Sequence, residues 1–188
     1  IGPMFSGKST ELLRRLNIYA ERDLKVLYVN SFLDTRTDKD FSTHNPTLKS
    51  VGKIKSKKIK SLKECDYKSF DVLGIDEAQF IPDLYKDVIK LVEYYGKYVI
   101  VAGLDGDFNR NKFGEILDLI PICDSVDKLF PFCKKCWETR KIVTKALFSK
   151  RITSGKDIIE VGAKDSYIPV CRNCYPHVPL LQSTSSGH

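Results

Sequence analysis

The sequence predicts an α/β fold, in which a parallel sheet carries helices on both faces, followed by a small zinc-binding lobe. Two observations predict it. Apolar, strand-like runs alternate with helical patterns over residues 1–130, and two Cys-x-x-Cys pairs follow them. We therefore expect an α/β domain at 1–130, a zinc lobe at 131–180 and a disordered tail at 181–188.

Hydrophobic periodicity places the elements in order. Helical spacing of apolar residues predicts helices over 10–22, 59–64 and 83–95, with Leu84, Val88, Leu91 and Val92 on one face of the last. Short apolar runs predict strands over 25–30, 70–75 and 98–104, and 34–48 is a polar loop. The lysine-rich stretch at 53–63 fits a solvated surface segment.

Composition sets the broad class. The 188 residues are 42% hydrophobic and 29% charged, which is typical of a globular chain. A net charge of +7 suits a polyanionic partner, either nucleic acid or a nucleotide. No apolar run approaches the roughly 20 residues that span a bilayer, and no signal peptide opens the chain. We expect a soluble, cytoplasmic protein.

A phosphate-binding loop opens the sequence. Residues 2–9, GPMFSGKS, fit the pattern G-x-x-x-x-G-K-[ST], with a helical pattern directly after it. In such a loop backbone N–H groups cradle the phosphates, Lys8 reaches the β- and γ-phosphates, and Ser9 can bind Mg²⁺. Only Ile1 precedes the motif, so the strand that normally leads into it is largely absent from the chain. The alternative is an ordinary glycine-rich turn before a helix.

Two carboxylates end the predicted strand at 70–75. In phosphate-loop proteins an aspartate at this place holds the Mg²⁺ shell, which we assign to Asp76. Glu77 can act as the general base if the nucleophile is a substrate hydroxyl, whereas with water as nucleophile the protein is an ATPase. The alternative is a solvated acidic turn.

The two cysteine pairs predict a structural zinc site. Cys133, Cys136, Cys171 and Cys174 supply four thiolates, and four protein ligands leave no open position on the metal. Disulfides are the competing interpretation, which an intracellular location disfavours. Cys65 and Cys123 lack metal-binding spacing.

The motifs together resemble the type II thymidine kinases, the family of cytosolic, bacterial and poxviral enzymes. The resemblance extends from Gly2 to Tyr175. It rests on GPMFSGKSTELLRR at 2–15, DTR at 34–36, GIDEAQF at 74–80, GLDGDF at 103–108, KFGEILDLIP at 112–121, VGAKDSY at 161–167 and the cysteine pairs. It implies a RecA-like core, a zinc lobe with a lasso loop over the nucleoside, and ATP-dependent phosphorylation of the thymidine 5′-hydroxyl in nucleotide salvage. It also implies Mg²⁺, a homotetramer and feedback inhibition by dTTP.

The resemblance also implies site residues. Those expected to bind ATP are Gly2, Pro3, Met4, Phe5, Ser6, Gly7, Lys8, Ser9, Asp34, Thr35, Arg36, Asp76 and Gln79. Those expected to bind the nucleoside are Met4, Phe80, Leu104, Phe108, Phe113, Tyr167 and the lasso residues Ile158, Ile159, Glu160, Val161 and Gly162. Glu77 would accept the hydroxyl proton. Glu160 stands where the family usually has an apolar residue, and either Val143 or Thr144 takes the place of the family's threonine near the base.

Two other functions compete with the kinase. A nucleic-acid-dependent ATPase with a zinc ribbon would use the same loop, carboxylates and positive charge. Helicases need two RecA-like domains, however, and 188 residues supply one. The third possibility is a non-catalytic zinc module that binds a partner protein.

Overall fold

The computed structural model describes residues 1–34, 53–153 and 166–175. Its larger part is a parallel sheet of four strands in the order β2-β1-β3-β4. The strands are β1 (Val26–Ser31), β2 (Lys55–Ile59), β3 (Val72–Asp76) and β4 (Tyr98–Val101). The predicted α/β class with a parallel sheet is confirmed.

Helices cover both faces of this sheet. Helix α1 (Lys8–Ala20) buries Leu12, Leu13 and Leu16 on one face, against a cluster that includes Tyr28 and Val72. The other face packs under α2 (Leu84–Ile89) and a 3₁₀ segment at Ile116–Ile122, whose buried residues join the cluster around Leu73 and Ile75. Strand β3 is buried along its whole length because it lies between β1 and β4 with a packed layer on each side.

The lysine-rich segment contains a strand that the sequence analysis missed. Strand β2 occupies residues predicted as a surface segment, and only the 3₁₀ turn Leu62–Glu64 remains of the helix predicted over 59–64. The strand forms because it pairs in parallel with β1, from Leu27 opposite Lys55 to Ser31 opposite Ile59. Lysines on an outer strand keep it from pairing with other chains, so the segment is both solvated and ordered.

Other boundaries also differ from prediction, and β4, predicted over 98–104, ends at Val101. Helix α1 begins at Lys8, two residues early, because Gly7 caps it inside the phosphate loop. The helix predicted over 83–95 is α2 followed by a π-helical turn at Lys90–Tyr94. Leu84, Val88 and Leu91 are buried as predicted, whereas Val92, inside the π-helical turn, is 42% exposed.

A second, antiparallel sheet lies between the cysteine pairs. It consists of β5 (Phe148–Arg151) and β6 (Tyr167–Val170), with helix α3 (Lys134–Arg140) packed beside it. This confirms the short strands predicted after residue 130. Among the helices described, none is long and apolar enough to cross a membrane.

Candidate active site

The phosphate loop is a tight turn with two residues in the left-handed conformation. Phe5 and Gly7 have φ angles of 66° and 81°, and helix α1 starts at the next residue, Lys8. The side chain of Lys8 is buried and folds back over the loop, with Nζ 2.8 Å from the carbonyl oxygen of Pro3 and 3.4 Å from Ser6 Oγ. A helix N-terminus and a fixed ammonium group therefore meet at the loop, an arrangement suited to phosphate oxygens.

Asp76 ends β3 as a fully buried carboxylate. Its Oδ2 accepts a hydrogen bond of 2.7 Å from the hydroxyl of Tyr28, and its Oδ1 accepts one of 3.0 Å from the backbone N–H of Glu77. The two donors fix the orientation of the carboxylate at the carboxyl edge of the sheet, where ligands bind in open α/β folds. Nothing in the sequence marked Tyr28 as a polar partner, since it lies within an apolar strand.

Glu77 follows in a left-handed conformation, with φ 50° and ψ 41°. This conformation is uncommon outside glycine and points to a constrained turn. The turn is anchored by the Ala78 N–H, which donates to the carbonyl oxygen of Ala102 at 3.0 Å. The Glu77 side chain is only 5% exposed, and its Oε2 accepts a 2.6 Å hydrogen bond from Gln79 Nε2. Glu77 is thus a buried carboxylate fixed by a hydrogen bond from Gln79, and not a solvated turn residue.

The end of β1 lies beside these carboxylates. Asn30 stands opposite Asp76 in the strand register, and its Nδ2 donates to Asp34 Oδ2 at 2.8 Å. Lys58 Nζ donates to the backbone oxygen of Asp34 at 3.0 Å, which ties β2 to the same edge. Asp34 is 3% exposed. Thr35 and Arg36, also expected near the phosphates, lie outside the described residues.

The four aromatic residues expected around the nucleoside form two pairs. Phe80 and Phe113 meet edge to face with ring centroids 5.4 Å apart, and Phe108 lies 6.2 Å from Tyr167, with their rings tilted at 46°. Tyr167 comes from the lobe and the other three from the α/β part, so the second pair spans the two parts. The lasso residues Ile158, Ile159, Glu160, Val161 and Gly162 lie outside the described residues.

The phosphate loop also contacts the lobe directly. The backbone N–H of Met4 donates to Ser149 Oγ at 2.9 Å, and Ser149 is 5% exposed on β5. Sequence reasoning missed Ser149, which no motif or spacing distinguishes. Of the two residues considered for the family's threonine, Val143 is 61% exposed, and the carbonyl oxygen of Thr144 accepts a bond from the Cys133 N–H. Ser149, by contrast, is the lobe hydroxyl that contacts the predicted pocket residue Met4.

An open groove of about 930 Å³ lies against the lobe. Its lining shares Tyr167 with the predicted nucleoside pocket and includes Phe5 from the phosphate loop, together with Phe132, Trp137 and Val143. The groove lacks Glu77 and Asp76, and we therefore place the chemistry at the sheet edge and not there.

The four predicted cysteines come together. Their sulfur atoms all lie within 4.8 Å of one another, and Cys136 Sγ is 3.6 Å from both Cys171 Sγ and Cys174 Sγ. Thiolates about 2.3 Å from a tetrahedral zinc ion stand roughly 3.8 Å apart, so the cluster fits zinc. Cys65 and Cys123 lie outside the cluster, as expected.

The neighbours of the cluster thiols change how readily each thiol ionises. Burial opposes ionisation of Cys136, but hydrogen bonds from Thr144 and the neighbouring thiols lower its pKa to about 6. Burial and hydrogen bonds with Cys136, Cys171 and Cys133 raise the pKa of Cys174 to about 12. Arg140 donates to Cys136 Sγ at 3.0 Å and offsets one negative charge. A zinc ion bound to the four sulfur atoms would hold them as thiolates, because cysteine binds a metal in its deprotonated form.

Comparison with known proteins identifies a family. The family model for thymidine kinase matches residues 1–175. The thymidine kinase of Vaccinia virus (strain Western Reserve) is 40% identical over 179 residues, which are 93% of each chain. Thymidine kinase a of Arabidopsis thaliana is 42% identical over 185 residues, covering 93% of this chain and 72% of the plant protein.

The thymidine kinase of Oryza sativa subsp. japonica is 41% identical over 180 residues. The match covers 93% of this chain but 64% of the length of the rice protein. The match over nearly the whole chain agrees with the phosphate loop, the paired carboxylates and the four-cysteine cluster. This chain belongs to the thymidine kinase family.

Proposed function

We propose that this chain transfers the γ-phosphate of ATP to the 5′-hydroxyl of thymidine, with Glu77 as the general base. The observation that carries the proposal is the carboxyl edge of the sheet, where Asp76 and Glu77 stand side by side as buried, oriented carboxylates. A base needs a fixed position within hydrogen-bond reach of the proton that it accepts. The nearby phosphate loop supplies the other half of the reaction.

The phosphate side of the site is assigned to the loop. Residues 2–9 would hold the triphosphate, and Lys8 would offset the charge that develops on the γ-phosphate, with Arg36 assisting. Ser9 and Asp76 would hold Mg²⁺, which when bound neutralises phosphate charge. Asp76 suits this role because Tyr28 and the Glu77 N–H hold the carboxylate in one orientation.

The nucleoside side is assigned to the aromatic pairs. Phe80, Phe108, Phe113 and Tyr167 would enclose the base and sugar, with Met4 and Leu104. Flat pyrimidines fit between apolar rings, and in-plane hydrogen bonds supply selectivity. Residues 158–162 would supply these bonds mainly through backbone groups. Acceptance of deoxyuridine depends on how tightly this pocket encloses the 5-methyl group of thymine.

The wider context is proposed by similarity to the family. It comprises a role in nucleotide salvage for DNA synthesis, a cytoplasmic location, assembly as a homotetramer and inhibition by dTTP. The division into an α/β domain at 1–130 and a zinc lobe at 131–180 belongs to the same proposal. Two hydrogen bonds join the proposed lobe to the proposed α/β domain, from Met4 to Ser149 and from Tyr175 to Phe108.

The experiment that tests the function is formation of thymidine monophosphate from ATP and thymidine. The wild-type chain should form it, and Glu77→Gln should lower turnover at least about 10²-fold. Glu93→Gln, a change at an exposed helical position, is the matched control and should leave turnover unchanged.

ATP hydrolysis with DNA, RNA or thymidine added separately tests the alternative. Stimulation by nucleic acid without formation of thymidine monophosphate would favour an ATPase. Full turnover by Glu77→Gln would remove Glu77 as the base while leaving the kinase activity itself established.

A further inference from the structure

Gln79 has both ends of its amide engaged within the site. Its Nε2 donates to Glu77 Oε2 at 2.6 Å, and its Oε1 accepts a 2.9 Å hydrogen bond from the backbone N–H of Leu104. The residue is 5% exposed. Gln79 is also a residue expected to contact ATP, and in the structure its amide connects the carboxylate of Glu77 to the chain at Leu104.

The space around Gln79 is shaped by two glycines from separate motifs. A Cβ atom on Gly103 would lie 2.6 Å from Gln79 Oε1, and one on Gly114 would lie 2.4 Å from the carbonyl oxygen of Gln79. Any larger residue at either position would displace Gln79. The GLDGDF and KFGEILDLIP motifs thus each supply a glycine that lets the glutamine lie in this place.

The backbone restrains the same group from the other side. Gln79 belongs to the 3₁₀ turn Ala78–Phe80, in which the Phe80 N–H donates to the carbonyl oxygen of Glu77 at 3.0 Å. The Glu77 main chain is therefore held by the turn and its side chain by the Gln79 amide. A hydrogen bond from an amide to a carboxylate is stronger than one between neutral groups, so it restricts rotation of the carboxylate.

We infer that Gln79 is a positioning residue, which orients the Glu77 carboxylate toward the 5′-hydroxyl and couples this orientation to the nucleoside pocket through Leu104. The inference rests on the proposed function, because it assigns Gln79 a role in the step that Glu77 performs. Small misplacements of a catalytic group cost up to about 10²-fold in rate, which gives the interaction a measurable effect.

Two substitutions separate the two ends of the amide. Gln79→Glu keeps the size of the side chain and an oxygen acceptor for the Leu104 N–H. It replaces the neutral amide donor to Glu77 by a second carboxyl group, which repels the Glu77 carboxylate or shares its proton. Gln79→Met keeps similar bulk, adds no charge and loses both hydrogen bonds.

If Gln79 orients the Glu77 carboxylate, kcat should fall at least about tenfold in both variants. Thymidine KM should rise in Gln79→Met and stay within about twofold of wild type in Gln79→Glu. ATP KM should be unchanged in both. Wild-type kcat in Gln79→Glu would overturn the inference, because holding Leu104 would then be the whole role of Gln79. A rise in ATP KM with unchanged kcat would overturn it in favour of an ATP contact.

The Glu77→Gln background provides a second, independent test. If Gln79 acts through Glu77, adding Gln79→Glu to Glu77→Gln should change kcat by less than about twofold. A further loss as large as that in the wild-type background would show an independent role and refute the inference. Thermal unfolding and zinc content will reveal whether Gln79→Met folds. Even if it does not, the comparison in the Glu77→Gln background still tests the inference.

The proposed function and the inference fail in different ways. Absence of thymidine monophosphate from the wild-type chain contradicts the proposed function, and full activity of Glu77→Gln removes Glu77 as the base of that reaction. An active wild type and an inactive Glu77→Gln, together with wild-type kcat in Gln79→Glu, contradict the positioning role alone.

Discussion

Tyr175 links the cysteine cluster to the predicted nucleoside pocket, and removing its hydroxyl tests that link. It directly follows Cys174, and its Oη donates a 2.6 Å hydrogen bond to the carbonyl oxygen of Phe108. The ring also lies 4.5 Å from the guanidinium carbon of Arg110 and packs edge-on against Phe148. Tyr175→Phe keeps the ring and its packing and deletes only the hydrogen bond.

The size of the effect follows from the type of bond. A partly buried hydrogen bond between neutral groups contributes about 1 kcal/mol, which corresponds to about a fivefold change in an equilibrium constant. Because the bond holds the chain at Phe108, the change should appear as an approximately fivefold higher thymidine KM. The ATP KM, kcat and zinc content should stay near wild-type values.

Steady-state kinetics with each substrate varied in turn gives kcat and the two KM values, and metal analysis gives the zinc content. Tyr94→Phe is the matched control, because Tyr94 is 78% exposed and lies outside the predicted site. The reasoning is refuted if thymidine KM in Tyr175→Phe stays within the spread of the control, or if ATP KM rises equally.

Three further predictions concern the zinc ion, the space around the Gln79 side chain and the ion pair of Glu11 with Arg14. Removal of zinc by a chelator should raise thymidine KM more than ATP KM, and unchanged kinetics after complete removal would separate the lobe from substrate binding. Gly103→Ala should lower both Tm and kcat, because its Cβ would lie 2.6 Å from Gln79 Oε1, and a native Tm would contradict this contact. Hydrogen bonds from Arg14, opposed by burial and aided by Arg15, lower the pKa of Glu11 from 4.5 to about 2. The Glu11 carboxylate therefore stabilises the fold fully above about pH 4.5, and this contribution is lost as pH falls through 2. Glu11→Gln should lower Tm by about 1–2 °C at pH 7 and by less at pH 3, and a gap that widens on acidification would contradict the assignment.

The sequence predicted those parts of the site that depend on local spacing. The phosphate loop and the cysteine pairs are short motifs whose chemistry follows from residue type and separation, and the four sulfurs came together as expected. The Asp76–Glu77 pair was found because it ends an apolar strand. Such features need no knowledge of what packs against them.

Contacts between distant segments could not be predicted in this way. Tyr28 reaches Asp76 across 48 positions and Ser149 reaches Met4 across 145, and neither residue stands out in its own segment. Strand β2 was missed because its lysines mask the alternation that a strand normally shows, and its pairing with β1 decides its conformation. Gln79 was placed in the site by its motif, but its role depends on the side chains and glycines that surround it.

The most direct measurement is the structure of the chain with thymidine and a non-hydrolysable ATP analogue bound. The account predicts that the thymidine 5′-oxygen lies about 2.6–3.2 Å from a carboxylate oxygen of Glu77, on the side facing the γ-phosphate held by the loop at 2–9. A nucleoside bound elsewhere, such as in the groove lined by Phe132 and Trp137, or a Glu77 carboxylate turned away from the 5′-oxygen, would contradict it.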